Sequence, residues 1–131
     1  MSARDVLKLM KSKEIEYLDL RFTDPRGKLQ HLTMDSTIVD EGMLNDGVFF
    51  DGSSIAGWKA INESDMILKP DLSKKVIDPY TSHNTLILFC DILDAVKRNP
   101  YERDPRGIAK KAESYLKKTG IGDKAYFGPE P

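Results

Sequence analysis

The chain has 131 residues, with 20 basic and 21 acidic side chains and a formal net charge of -1. Charges that nearly cancel, with no Lys/Arg run, exclude a general electrostatic footprint for nucleic acid or an anionic membrane, while 40% hydrophobic and 31% charged residues fit a globular domain and not a disordered one. No stretch nears the ~20 apolar residues that span a bilayer, the start Met1-Ser2-Ala3-Arg4-Asp5 lacks the apolar core of a signal peptide, and the lone Cys90 forms no internal disulfide, so a cytoplasmic protein is expected.

Ser2 followed by Asp5 predicts a helix start, and Val6, Leu7 and Met10 share one helical face behind it. From Ile15 to Phe22, Leu18, Leu20 and Phe22 alternate with Asp19 and Arg21, the pattern of a half-buried strand. Asp24-Pro25-Arg26-Gly27 is a turn, which returns Lys28 to Met34 as the second strand of a hairpin.

Gly42, Gly47, Gly52 and Gly57 bracket a segment expected to be loop. Within it the apolar run Val48-Phe49-Phe50 stops at Asp51-Gly52-Ser53-Ser54, residues that favour side-chain bonds to the backbone over strand continuation. Met66 to Leu68, Val76-Ile77 and Leu86 to Phe89 read as further short strands, closed by Lys69-Pro70 or Asp78-Pro79. Cys90 ends the last run as a small buried hydrophobe.

Asp104-Pro105 places a capping side chain before a proline at the first helical position. Ile108, Ala109, Ala112, Tyr115 and Leu116 follow with helical spacing until Gly120. Lys110, Lys111, Lys117 and Lys118 read as a solvated face of that helix, favourable near its carboxyl end. Asp-Pro-Arg-Gly occurs at both 24 and 104, once in a turn and once at a helix start, and so marks no repeat. The last residues, Ala125 to Pro131, look like a strand interrupted at its beginning.

Chemistry concentrates in Phe50-Asp51-Gly52-Ser53-Ser54-Ile55-Ala56-Gly57-Trp58, which joins a carboxylate, two hydroxyls and the only tryptophan. Such a group can hold a cation and accept its proton, but the residues by themselves favour a turn-rich loop anchored by one tryptophan over a cation site. His31 and His83 have no partner at a ligand spacing and are assigned no role. The chain also has no Gly-rich phosphate loop and no nucleophile elbow.

The order and spacing of Phe50 to Trp58, Ile61-Asn62-Glu63-Ser64-Asp65-Met66 and Phe127-Gly128-Pro129-Glu130-Pro131 resemble the bacterial glutamine synthetase family. Leu18 to Asp24, Cys90 to Leu93 and Arg103 to Arg106 with Ile108-Ala109-Lys110 extend the resemblance over nearly the whole chain. It implies an α+β fold: a β-grasp-like mixed sheet with flanking helices over residues 1–103, then the truncated start of an α/β catalytic domain over 104–131. It also implies an enzyme in which ATP phosphorylates glutamate and ammonia displaces the phosphate, with active sites shared by neighbouring subunits of a ring.

By the same resemblance Asp51 binds ammonium and helps to remove its proton, with Ser54 as a polar neighbour. Trp58 forms an aromatic wall, and Asp65 lies near a mobile flap over glutamate, though simple packing also accounts for these two. Glu130 resembles the first glutamate of a Gly-Pro-Glu-Pro-Glu metal motif whose second glutamate is missing here. Ala56 stands where the family often has glycine. ATP and Mg2+ or Mn2+ are expected in the complete enzyme, and neither cofactors nor turnover in the fragment alone. A stand-alone β-grasp module that associates with intact synthetase is the competing expectation.

Overall fold

Apolar residues at every second position of one segment decide which face of the sheet turns inward. In β1 (Tyr17–Thr23), Leu18, Leu20 and Phe22 are buried together on one side, and Asp19 and Arg21 point to the other. The computed structural model describes residues 1–55 and 65–128.

Helix α1 (Ala3–Ser12) precedes β1, and β2 (Leu29–Asp35), α2 (Glu41–Asp46), β3 (Val48–Asp51), β4 (Asp65–Ile77), β5 (Thr85–Asp94) and α3 (Pro105–Thr119) follow it. The five strands form one mixed sheet in the order β2-β1-β5-β4-β3. The central pair β1–β5 is parallel and the three flanking pairs are antiparallel.

The register stacks apolar residues across the inner face. Leu18 pairs with Leu86 and Leu20 with Leu88, while Leu68 pairs with Ile92 and Pro70 with Cys90. Ala3, Val6 and Met10 of α1 and Leu44 of α2 cover that face and complete the core. Helix α1 begins in the expected way: Ser2 Oγ accepts from the Asp5 N–H at 3.3 Å, and the Asp5 carboxylate accepts from the Ser2 N–H at 2.9 Å. Cys90 is buried in the core, where desolvation pushes its thiol far up and leaves it inert.

Three expectations are corrected. The segments around Met66 and Val76 are one thirteen-residue strand, not two. Pro70 ends nothing, because the ladder shifts register between Pro70 and Lys75 and absorbs the missing donor in a bulge. The glycine-bracketed segment contains α2, capped by Asp40, whose carboxylate accepts from the Met43 N–H at 2.7 Å. Strand β3 runs through Asp51 instead of stopping before it.

Gly47 makes the sharp passage from α2 to β3 possible. Its φ is +88°, and a Cβ there would lie 2.5 Å from Ile67 Cγ2 and 2.6 Å from the Leu68 carbonyl oxygen. Only glycine tolerates both the conformation and the approach.

Polar side chains organise the outer face of the sheet. Asp19 is 3% exposed and accepts from Arg21 Nε at 2.7 Å, His31 Nδ1 at 2.8 Å and Thr33 Oγ1 at 2.8 Å, while Arg21 Nη2 donates to Asp78 at 3.1 Å. Burial alone would raise the Asp19 carboxyl, but the bonds from Arg21, His31 and Thr33 outweigh it and hold Asp19 below the ordinary range. His31 thus serves as a strand histidine within a structural network.

Candidate functional site: the turn after β3

Strand β3 presents its two aromatic residues to opposite sides. Phe50 packs towards the core with its ring 5.4 Å from that of Phe22, and Phe49 stays 60% exposed. The alternation carries on into Asp51, the last residue of the strand, which is also exposed.

Asp51 then caps a single turn of 3-10 helix, Gly52–Ser54. One of its carboxylate oxygens accepts from the Ser53 N–H at 2.9 Å and from Ser53 Oγ at 2.6 Å. Gly52 is buried, and the Ile55 N–H donates to the Gly52 carbonyl at 3.0 Å while its side chain packs against the core. Phe50 before the turn and Ile55 after it are therefore both anchored, so the Asp51 carboxylate is carried on a braced corner.

The β3–β4 ladder sets Asp51 directly opposite Asp65. Both are exposed at the end of the sheet, and side chains opposite one another on an antiparallel pair have Cβ atoms about 4.5–5.5 Å apart. Two carboxylates in that relation repel each other and favour a cation between them. Ser54 is exposed in the same turn.

Of the residues singled out from sequence, Asp51, Ser54 and Asp65 are thus gathered at one end of the β3–β4 pair. Trp58, Ala56 and Glu130 lie outside the described residues. Ser53, not singled out from sequence, is the hydroxyl that engages Asp51. Its position two residues after an aspartate was the available signal, since that spacing is the one an Asx turn uses.

The outer face also holds an open hollow of about 580 Å³, lined by Ser73, Lys74, Lys75, Val76, Phe89 and Arg106. Its arginine is already paired with Asp71 and Asp91, and none of its lining comes from the Asp51 turn. Among the described residues no group of three or more His, Cys, Asp or Glu side chains stands close enough to hold a metal ion. No helix among them is long and apolar enough to cross a membrane.

Comparison with known proteins gives a consistent picture. Residues 14–95 match the family described as glutamine synthetase, β-grasp domain. The glutamine synthetase of Rhizobium meliloti (strain 1021) is 60% identical over 129 residues, which cover 98% of this chain and 28% of that protein. That of Escherichia coli (strain K12) is 53% identical over 131 residues, covering 100% of this chain and 28% of the relative. A solved structure of Plasmodium falciparum glutamine synthetase superimposes with a TM-score of 0.84 at 26% identity, over 95% of this chain and 24% of that one. The chain therefore spans about 28% of the length of these curated relatives.

Proposed function

Since the chain belongs to the glutamine synthetase family and carries its β-grasp domain, we propose that it supplies the ammonium-holding corner of an enzyme that ligates glutamate and ammonia at the expense of ATP. The observation that supports this reading most directly is the register of Asp51 against Asp65, two exposed carboxylates opposed on a braced turn.

Ammonium has no lone pair to attack with until a proton is removed. Asp51 and Asp65 hold the cation through charge-assisted hydrogen bonds, and Ser54 offers a neutral polar contact. Asp51 then takes one proton as general base. The freed ammonia attacks the carbonyl carbon of a glutamyl phosphate made from ATP and glutamate, and the C–O bond to phosphate breaks as the C–N bond forms. Ser53, by bonding one oxygen of Asp51, sets the direction of the other.

Asp51 works across a subunit boundary in this reading. Strand β3 is an edge of the sheet, and the 60% exposed Phe49 beside Asp51 gives a neighbouring copy something apolar to cover. Trp58 would close the corner against water, and Asp65 sits where a flap would meet it. ATP and a divalent metal, Mg2+ or Mn2+, belong to the rest of the parent enzyme. The donors among the described residues do not make a metal site, and no step here runs through one. Glu130 would add a ligand only alongside further carboxylates. We assign residues 1–103 to the grasp domain and 104–131 to the approach to the next.

The test is complementation. The chain is completed with the remainder of the Rhizobium meliloti relative. Asp51→Asn subunits are then mixed with subunits inactivated in the remainder, and ATP-dependent glutamine formation is measured in the hybrids. Activity should reappear in hybrids and be absent from either parent and from the 131 residues alone. Hybrids as inactive as their parents would show that each site is built from one subunit.

A further inference from the structure

Helix α3 is fifteen residues long, yet none of its residues, all of them described, is buried. Ile108 is 55% exposed and Tyr115 71% exposed, so apolar packing against the sheet does not fix its direction. What joins it to the sheet is polar and confined to its first turns.

Two sets of contacts do the joining. The approach is stitched to the β5 backbone by one main-chain and one side-chain bond: the Tyr101 N–H donates to the Ile92 carbonyl at 2.9 Å, and the Ile92 N–H donates to the Asp104 carboxylate at 3.1 Å. These fix where the helix begins. Arg106, the second residue of the helix, reaches two strands. Its Nε donates to Asp91 of β5 at 2.8 Å, its Nη2 meets Asp71 of β4, and Lys110 meets the second oxygen of Asp91.

The β4 bulge belongs to the same arrangement. The register shift between Pro70 and Lys75 begins at Asp71, whose other oxygen is held by the Ser73 N–H at 3.0 Å and Ser73 Oγ at 2.6 Å. Asp71 is thereby pre-set to receive the guanidinium. A planar fork satisfies two carboxylates on different strands at once, which a lysine ammonium does not.

We propose that Arg106 is the pin of a polar hinge: the direction in which α3 leaves the sheet is set by the Asp71–Arg106–Asp91 clamp with Lys110, and loosening the clamp swings the helix as a rigid lever about residues 104–106. The three clamping side chains keep between 20% and 28% of their surface exposed, so salt reaches them in part. Whatever follows or docks on α3 is aimed by charge and not by packing. This inference stands independently of the role assigned to Asp51.

Spin labels on Lys8→Cys in α1 and Lys118→Cys in α3 test it, since both sites are exposed and Cys90 is buried. In the otherwise unaltered 131-residue chain the label-to-label distance should form one narrow population. Arg106→Met should shift and broaden it while the far-ultraviolet helix signal holds, Asp91→Asn and Asp71→Asn should do so in part, and added salt should move the parent in the same direction. Arg4→Met, which breaks the Arg4–Glu41 pair elsewhere, should leave it in place. A distribution unchanged in Arg106→Met would overturn the proposal. So would loss of the α3 helix signal in the Asp71→Asn and Asp91→Asn variants, because a lever must stay folded as it swings.

Discussion

Asp104 and Ile92 are joined by a buried bond in which the β5 backbone N–H donates 3.1 Å to the side chain that caps α3. The same carboxylate accepts from the Arg106 N–H at 3.1 Å, and only 1% of the residue is exposed. Asp104→Ala leaves a buried strand amide without its acceptor and removes the helix cap together. We expect a loss of about 1–3 kcal/mol in chemical denaturation, with Asp104→Asn, which keeps an acceptor oxygen, losing less.

Gly47→Ala should destabilise the fold more than its single methyl group suggests. The added carbon meets the Leu68 carbonyl oxygen, which belongs to the β4 backbone and cannot swing aside, and the residue must still adopt a positive φ. A penalty of about 1–3 kcal/mol is expected in urea titration. Gly27→Ala, also at positive φ but with nothing within 4 Å of its Cβ, should lose less.

The acid limb of stability should depend on Asp19. Its carboxyl lies below the ordinary range in the folded chain, so its contribution is complete above the unfolded value of about 3.9 and is lost as pH falls through the folded value. Asp19→Asn should therefore flatten the fall of unfolding free energy below about pH 4. The profile above that pH should keep its slope, which pH-resolved denaturation curves would show.

In the completed enzyme, Asp51→Asn should lower kcat for glutamine formation by roughly 10²–10⁴-fold, the usual contribution of a positioned base. In the proposed reading Asp65 holds the cation without taking its proton, so Asp65→Asn should chiefly raise KM for ammonium. Both sites are exposed, so thermal unfolding should stay nearly unchanged and separate chemistry from folding.

Sequence reading succeeded where the deciding physics was local. Ser2 with Asp5, and Asp104-Pro105 with Gly120, mark the ends of α1 and α3 by the side chains that satisfy their free backbone groups. The two Asp-Pro-Arg-Gly segments show where local physics stops. In each, the aspartate accepts from the N–H of the arginine two residues on, at 2.9 Å for Arg26 and 3.1 Å for Arg106. One then closes a hairpin through the Lys28 N–H and Gln30, and the other opens a helix against Ile92. Identical letters diverge because the neighbouring strands differ.

Strand β4 was illegible for a related reason. Proline reads locally as a terminator, and only the partner strand β5 reveals that pairing resumes at Lys75. At the candidate site, Asp51 stood out by its chemistry, whereas Ser53 and Ser54 are interchangeable as letters. The geometry of the turn alone separates the one that holds the carboxylate from the one that faces outward.

The parallel pairing of β1 with β5 also governs how the chain matures during synthesis. Tyr17 waits for Thr85, so the β1–β2 hairpin emerges from the ribosome with its inner edge open for several seconds, at a usual elongation of about 5–20 residues per second. Until β5 arrives, Leu18 and Leu20 have no permanent neighbours on that side, and the nascent hairpin is open to mispairing along that edge.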